Sequence, residues 1–295
     1  PSLSCTAVIS TLTTVIEITA VHDNEGALPL SMVFPGVDAG LWVPYQQKYP
    51  ECFNGDNNEN FAAHFDCYVI RSEGRIILVD TGVGSMATNP GAVTAFAGGA
   101  DGRLLSDLQS AGVNKEDIDT VFLTHLHPDH VGWNVNSDGP SPVPAFPNAR
   151  YVFHQDDWEA FRPPRDSEIF GLTFWEETLA PLEMAGVTEP LTGERSITAE
   201  ITAILTPGHT PGSMSLAIDS GGEKALVMGD VFHGPPQVSE PSWVFAFDAD
   251  PDTAVQSRNR MLNRAEAENA IMAICHSTGF GRIVSQEGRR YWQGL

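Results

Sequence analysis

The sequence predicts an α/β chain in which β-sheets are covered by helices. Three observations predict it. Strand patterns come first, strands and helices then alternate, and no linker divides the 295 residues into two domains. We therefore treat residues 1–295 as one domain.

Residues 14–21 read as a strand. Residues 22–64 are rich in Gly, Pro and Asn and carry Trp42, Tyr45, Tyr49 and Phe53, so they are expected to be irregular and to shape a pocket or a subunit contact. Residues 67–71 and 75–79 form two strands joined by a Ser-Glu-Gly turn, and Asp80-Thr81-Gly82 ends the second. Residues 102–111 form an amphipathic helix with Leu104, Leu105 and Leu108 on one side and Gly112 as its stop. Strands follow at 119–123 and 150–153, and a helix starts at 156–161. Three more strands lie at 201–205, 214–218 and 224–228, then a helix at 252–267 with acidic charge in its first turn, and a last strand at 270–274.

Composition excludes several classes of partner. Sixteen Lys and Arg face 38 Asp and Glu, a net charge of −22, so a phosphate backbone or an anionic membrane would be repelled. No apolar run approaches the ~18–20 residues of a bilayer span. No basic-then-apolar leader is visible, which points to the cytoplasm; export stays open because the numbering begins at Pro1. The four cysteines, Cys5, Cys52, Cys67 and Cys275, form no CxxC pair. A Cys52–Cys67 disulfide fits the spacing but not a reducing compartment.

The sharpest chemical signal is Thr124-His125-Leu126-His127-Pro128-Asp129-His130. Four ligand-type side chains fall within six positions, just after a strand. Imidazole with carboxylate suits zinc first, with iron, manganese, cobalt or nickel as alternatives. Burying three imidazoles and a carboxylate together without a cation would be costly. An isolated histidine elsewhere is ordinarily a core or surface residue. Here, however, Asp80, His209, Asp230 and His276 also stand just beyond strand ends, as residues of one shared site would.

These pieces together resemble the metallo-beta-lactamase fold superfamily: Val79-Asp80-Thr81-Gly82, the HxHxDH cluster at 125–130, Pro207-Gly208-His209-Thr210, Gly229-Asp230 and the late His276. The resemblance implies a four-layer αβ/βα sandwich, two mixed sheets packed face to face with helices outside. It implies two divalent metal ions, the first held by His125, His127 and His209, the second by Asp129, His130 and His276, with Asp230 bridging. Asp80 would orient a ligand rather than bind metal. Two such ions lower the pKa of a shared water and polarise a carbonyl or phosphoryl group. In similar lactone hydrolases the residue at Asp129 passes a proton to the leaving group. A homodimer is a further expectation of the resemblance.

For substrate, the chain is similar to the branch of acyl-homoserine lactonases and methyl parathion hydrolase. Where the lactonases place a substrate-contacting tyrosine, three residues after the bridging aspartate, this chain has His233, which could donate the same hydrogen bond or act as an acid. The turn after His276 lacks the proline those relatives carry. Trp42, Trp133, Phe146, Trp243 and Phe245, with Tyr45 and Phe247 near them, are expected to line an apolar pocket. The expected activity is opening of a small apolar lactone or ester. Alternatives are phosphotriester hydrolysis, hydrolytic aryl dehalogenation or, from a different class, an inactive metal-binding protein. A nuclease lacks the basic face it needs, a glutathione thioesterase its basic set, a true beta-lactamase its cysteine ligand, and a flavo-diiron reductase its flavin domain.

Overall fold

The computed structural model describes residues 5–10, 15–137, 139, 141–163 and 174–295. Its strands are β1 (Thr6–Ser10), β2 (Val15–Pro29), β3 (Phe53–Asn54), β4 (Asn60–Ser72), β5 (Arg75–Val79), β6 (Thr120–Phe122), β7 (Val135–Asn136), β8 (Val143–Pro144), β9 (Arg150–His154), β10 (Thr188–Leu191), β11 (Arg195–Ser196), β12 (Ile201–Leu205), β13 (Met214–Ser220), β14 (Glu223–Val227), β15 (Ile271–Ala273), β16 (Phe280–Gln286) and β17 (Arg289–Gly294). They form one sheet in the order β1-β2-β4-β5-β6-β9-β10, with β3 also paired to β4, and a second in the order β11 to β17 omitting none of β12–β16. β7 and β8 make a small separate ribbon. Both sheets are mixed: β5-β6, β6-β9 and β14-β15 are parallel, while β2-β4 and β12-β13 are antiparallel.

Side-chain alternation assembles the layers. Tyr68, Ile70, Ile77, Val79, Phe122 and Val152 of the first sheet pack with Ile201, Leu216, Ala225, Val227 and Ala273 of the second, forming the middle core. The intervening residues point outward. Val69, Leu78, Val121 and Phe153 meet Leu104 and Leu108 of the helix Leu104–Ser110 and Trp158 of the helix Gln155–Phe161. Leu226 and Met272 meet Met261 and Leu262 of the helix Pro251–Ala267. This is the sandwich the sequence predicts, two mixed sheets packed face to face with helices outside.

The largest departure from expectation is at 22–64. β2 continues from Val21 through Pro29, a ten-residue helix spans Ala39–Lys48, and β4 already begins at Asn60. Sequence patterning failed there for a physical reason. The stretch His22-Asp23-Asn24-Glu25-Gly26 reads as a turn, yet it is held as a strand by a register shift between His22 and Asn24. Gly26 is required because a Cβ there would lie 2.1 Å from the carbonyl oxygen of Phe96. The strands β1, β16 and β17 were also not anticipated. Cys5, Cys52, Cys67 and Cys275 are all free, so the Cys52–Cys67 disulfide is not formed. Thr14, the first residue of the expected 14–21 strand, lies outside the described residues.

Candidate metal centre

Strand ends deliver the ligand-type side chains to one place. Asp80 follows β5, the 125–130 loop follows β6, His209 follows β12, Asp230 follows β14 and His276 follows β15. The first sheet thus supplies the HxHxDH cluster and the second supplies His209, Asp230 and His276. Gly208 permits the 206–210 turn: its φ is +129°, and a Cβ would sit 2.1 Å from the amide nitrogen of Ala254, in the first turn of the helix Pro251–Ala267.

Two groups of donors converge. His125 Nε2 lies 3.0 Å and His209 Nε2 lies 2.9 Å from His127 Nδ1. Ligands of a tetrahedral zinc at its usual bond length stand about 3.3 Å apart, so these three nitrogens are spaced nearly as one ion would space them. Beside them, His276 Nε2 is 3.0 Å from Asp230 Oδ2, and His130 Nε2 is 3.4 Å from Asp230 Oδ1. Asp129 Oδ2 stands 3.6 Å from His130 Nε2 and 3.7 Å from His276 Nε2. Asp230 Oδ2 also approaches His209 Nε2 at 3.3 Å and His125 Nε2 at 3.8 Å, so this carboxylate lies between the two groups.

The outer nitrogens fix how the rings are protonated. His276 Nδ1 is 2.9 Å from the carbonyl oxygen of His64, which can only accept, so the proton sits there. His130 Nδ1 donates to Asp80 at 2.9 Å and His209 Nδ1 to Asp248 at 3.0 Å. Each of these three imidazoles therefore turns the lone pair of its Nε2 inward, the arrangement in which histidines hold metals. His130 Nε2 and Asp230 Oδ1 are buried with no hydrogen-bond partner, as expected of groups facing a cation.

Asp80 is in the left-handed region at φ 60°, which turns its side chain off the strand end. Its carboxylate accepts from the Thr124 amide at 2.7 Å and the Thr124 hydroxyl at 2.8 Å as well as from His130. Electrostatics follow from burial and charge. Burial, then the neighbouring His130, holds His125 well below the usual histidine range, and burial with His209 does the same to His127. Burial opposes ionisation of His130 and of Asp230. It is outweighed in both: Asp230, Asp129 and Asp80 hold His130 well above its usual value, and His276, His130 and His125 hold Asp230 well below. Without a metal the centre is thus a deprotonated carboxylate ringed by imidazoles with a proton held on His130, and a divalent cation would take that proton's place and free the Nε2 lone pair.

Two residues that the sequence did not mark support this centre. Asp248 orients His209, accepts from the Phe245 amide at 3.1 Å and lies 3.5 Å from the buried guanidinium of Arg258. Asp157 accepts from the amides of Leu126 and Gly212 and from the hydroxyl of Thr210, so it joins the 125–130 loop to the 209 loop. The only sequence signal for Asp248 was its place in Phe247-Asp248-Ala249-Asp250-Pro251; Asp157 had none.

Above the centre is a narrow cavity open to solvent. Its floor is His127, Asp129, His209, Asp230 and His276, and its wall is Leu28, Phe61, Ala63, Phe65, Phe96, Phe245 and Phe247. Of the seven aromatic residues expected at a pocket, Phe245 and Phe247 line this cavity, and Trp42, Tyr45, Trp133, Phe146 and Trp243 do not. Trp42 packs on Phe34, Phe53 and Trp243 in the core, and Trp243 meets Trp42 and Tyr45. Phe146 is fully buried under the first sheet. Trp133 donates its indole N–H to Asp23. These aromatic side chains are spent on packing because each lies beside an element that must be covered.

His233 also departs from expectation. It is fully buried, absent from the cavity lining and stacked against Phe245, with ring centroids 3.5 Å apart. Its Nε2 lies 3.4 Å from Asp230 Oδ2. Burial pushes its pKa down to about 4, so it is neutral at pH 7 and does not serve as a cationic acid.

Known proteins share this fold. The N-acyl homoserine lactonase of Bacillus thuringiensis is 24% identical over 219 residues, covering 71% of this chain and 80% of that protein. The solved structure of AbOPH, a hydrolase of the beta lactamase superfamily, superposes with a TM-score of 0.82 at 22% identity, covering 100% of this chain and 99% of the other. The dizinc quorum-quenching lactonase AidC superposes at 0.77, also with 22% identity and with the same coverage. At such identity the two structures show the shared fold. Residues 66–276 match the model of the metallo-beta-lactamase superfamily, and the chain belongs to that superfamily.

Proposed function

We propose that this chain is a metal-dependent hydrolase that opens a small, uncharged, apolar lactone or ester. The observation that carries this reading is the cavity: carbon-rich on every wall, with no Lys or Arg among its lining residues, and floored by the His/Asp cluster. An anionic substrate would find no countercharge there beyond the metal ions themselves. An acyl chain or aryl group would be buried against Phe61, Phe65, Phe96 and Phe247 with its carbonyl on the floor. The lactonase names borne by relatives agree with this reading.

Two divalent ions in such a site supply a nucleophile from water at neutral pH and polarise the carbonyl. His125, His127 and His209 would hold one, and Asp129, His130 and His276 the other, with Asp230 shared between them. Zinc suits this mixed imidazole and carboxylate set. Asp129 reaches the cavity with its carboxylate part-exposed, placing it to accept and return a proton at the scissile bond. His233 acts through Asp230 as a positioning residue, since Phe245 covers its face.

Protein of measured metal content should be assayed against acyl lactones, aryl esters and phosphotriesters. The expected result is the highest kcat/KM for a lactone or ester with a long apolar substituent. A preference for phosphotriesters over every lactone and ester, or inactivity on all three at full metal loading, would overturn the reading.

A further inference from the structure

β2 and β4 bring together a second set of ligand-type side chains. In an uninterrupted strand His22 and Glu25, three residues apart, would face opposite sides of the sheet. The register shift between His22 and Asn24 inserts one extra residue, Asp23, and so returns Glu25 to the side of His22. Their cross-strand partners are Asp66 and His64, which are two apart and share a face. The bulge is a built feature. Asp23 is buried and accepts hydrogen bonds from the amides of Val83, Gly84 and Leu104 and from the indole of Trp133.

One donor atom each from His22, Glu25 and His64 lies within 4.8 Å of the others. His22 Nδ1 is 2.5 Å from Asp66 Oδ1, so the Nδ1 N–H donates to the carboxylate and the lone pair remains on Nε2. That Nε2 is buried without a hydrogen-bond partner, and so are both ring nitrogens of His64. Buried imidazole nitrogens are ordinarily satisfied, and three unsatisfied ones beside a carboxylate call for an occupant. They border a cleft open to solvent.

We propose that His22, Glu25 and His64 bind a divalent transition-metal ion of the Zn²⁺ class, separate from the main centre, with Asp66 positioning His22. Two imidazoles and one carboxylate, with an open side toward solvent, are a donor set that such ions take. The site adjoins the main centre through one hydrogen bond, from His276 Nδ1 to the carbonyl oxygen of His64.

The test is calorimetric titration of Zn²⁺ into holoenzyme whose main centre is already filled, with elemental analysis at the end point. The native chain should take up one more ion than His64→Ala, a variant that keeps the backbone carbonyl. Asp66→Asn should weaken that uptake about 10–100-fold. Glu25→Gln, a change at an exposed position, should weaken it too and serves if His64→Ala fails to fold. Equal uptake and affinity in the native chain and these variants would overturn the proposal. Because the readout is a difference of one ion between variants, it does not depend on the substrate or on the main-centre stoichiometry.

Discussion

The floor and the wall of the main cavity are built in different ways. The floor comes from residues a short step beyond four strand ends, each of a type chosen for its chemistry. The wall comes from apolar side chains of β2, β4, the helix Pro90–Ala97 and the 245–247 loop, types that elsewhere in the chain make ordinary core. Chemistry at the floor depends on a few atoms held within tenths of an ångström. The wall depends on which segments happen to pack above it. Evolution could therefore change substrate preference by altering the wall while leaving the floor intact, and experiments should separate the two.

The sharpest break would come at the floor. His127→Ala should lose metal and drop hydrolysis toward the uncatalysed rate, about 10⁶-fold or more, with circular dichroism still showing a folded chain. Near-native turnover would remove the floor from the chemistry altogether. A second effect concerns the brace between the two loops. Burial lifts Asp157 to about 6 from its usual 3.8, against the hydrogen bonds from Thr210, Gly212 and Leu126. The folded chain thus holds this proton more tightly than the unfolded one, and stability present below about pH 4 is lost as pH rises through 6. Denaturant unfolding of metal-free protein should show a loss of up to about 3 kcal/mol across that window relative to Asp157→Asn. A constant difference between the two proteins would contradict the assignment.

Smaller effects sharpen the contrast. Asp248→Asn should weaken metal binding about 10–100-fold by freeing His209, measured by competition with a chelator. Phe247→Ala should leave metal affinity alone and raise KM for an apolar substrate by about 5–30-fold, with kcat little changed, from the loss of roughly 1–2 kcal/mol of burial. A fall in metal content in that variant would show that wall and floor are not separable.

The same contrast explains what could be read in the sequence. Period-two strands at 67–71, 75–79 and 201–228 were legible because each alternates between the middle core and a helical layer. The seven ligand-type residues and Asp80 were legible because few other reasons gather histidines and aspartates at strand ends. Trp42, Trp133, Phe146 and Trp243 misled because an aromatic side chain serves packing and binding equally well. Phe61, Phe65 and Phe96 were passed over for the same reason. Their role depends on β4 and the 90–97 helix meeting over the floor, which no local pattern records. The strand through Gly26 was hidden because its glycine and asparagine answer to a neighbour far away in sequence.

The division of ligands between the two sheets has a mechanical consequence. Four come from the loop after β6 in the first sheet, and three follow β12, β14 and β15 in the second. Under the proposed assignment, ions held by both groups would act as a clasp between the two halves, adding to the hydrogen bonds that already cross this edge from Asp66 to Cys275, Met214 to Thr124, Gly212 to Asp157 and His276 to His64. By linkage, the binding energy that serves catalysis also resists separation of the halves, at about 4 kcal/mol for free metal a thousandfold above its Kd. A chain starved of metal would therefore open first at the edge where the substrate enters.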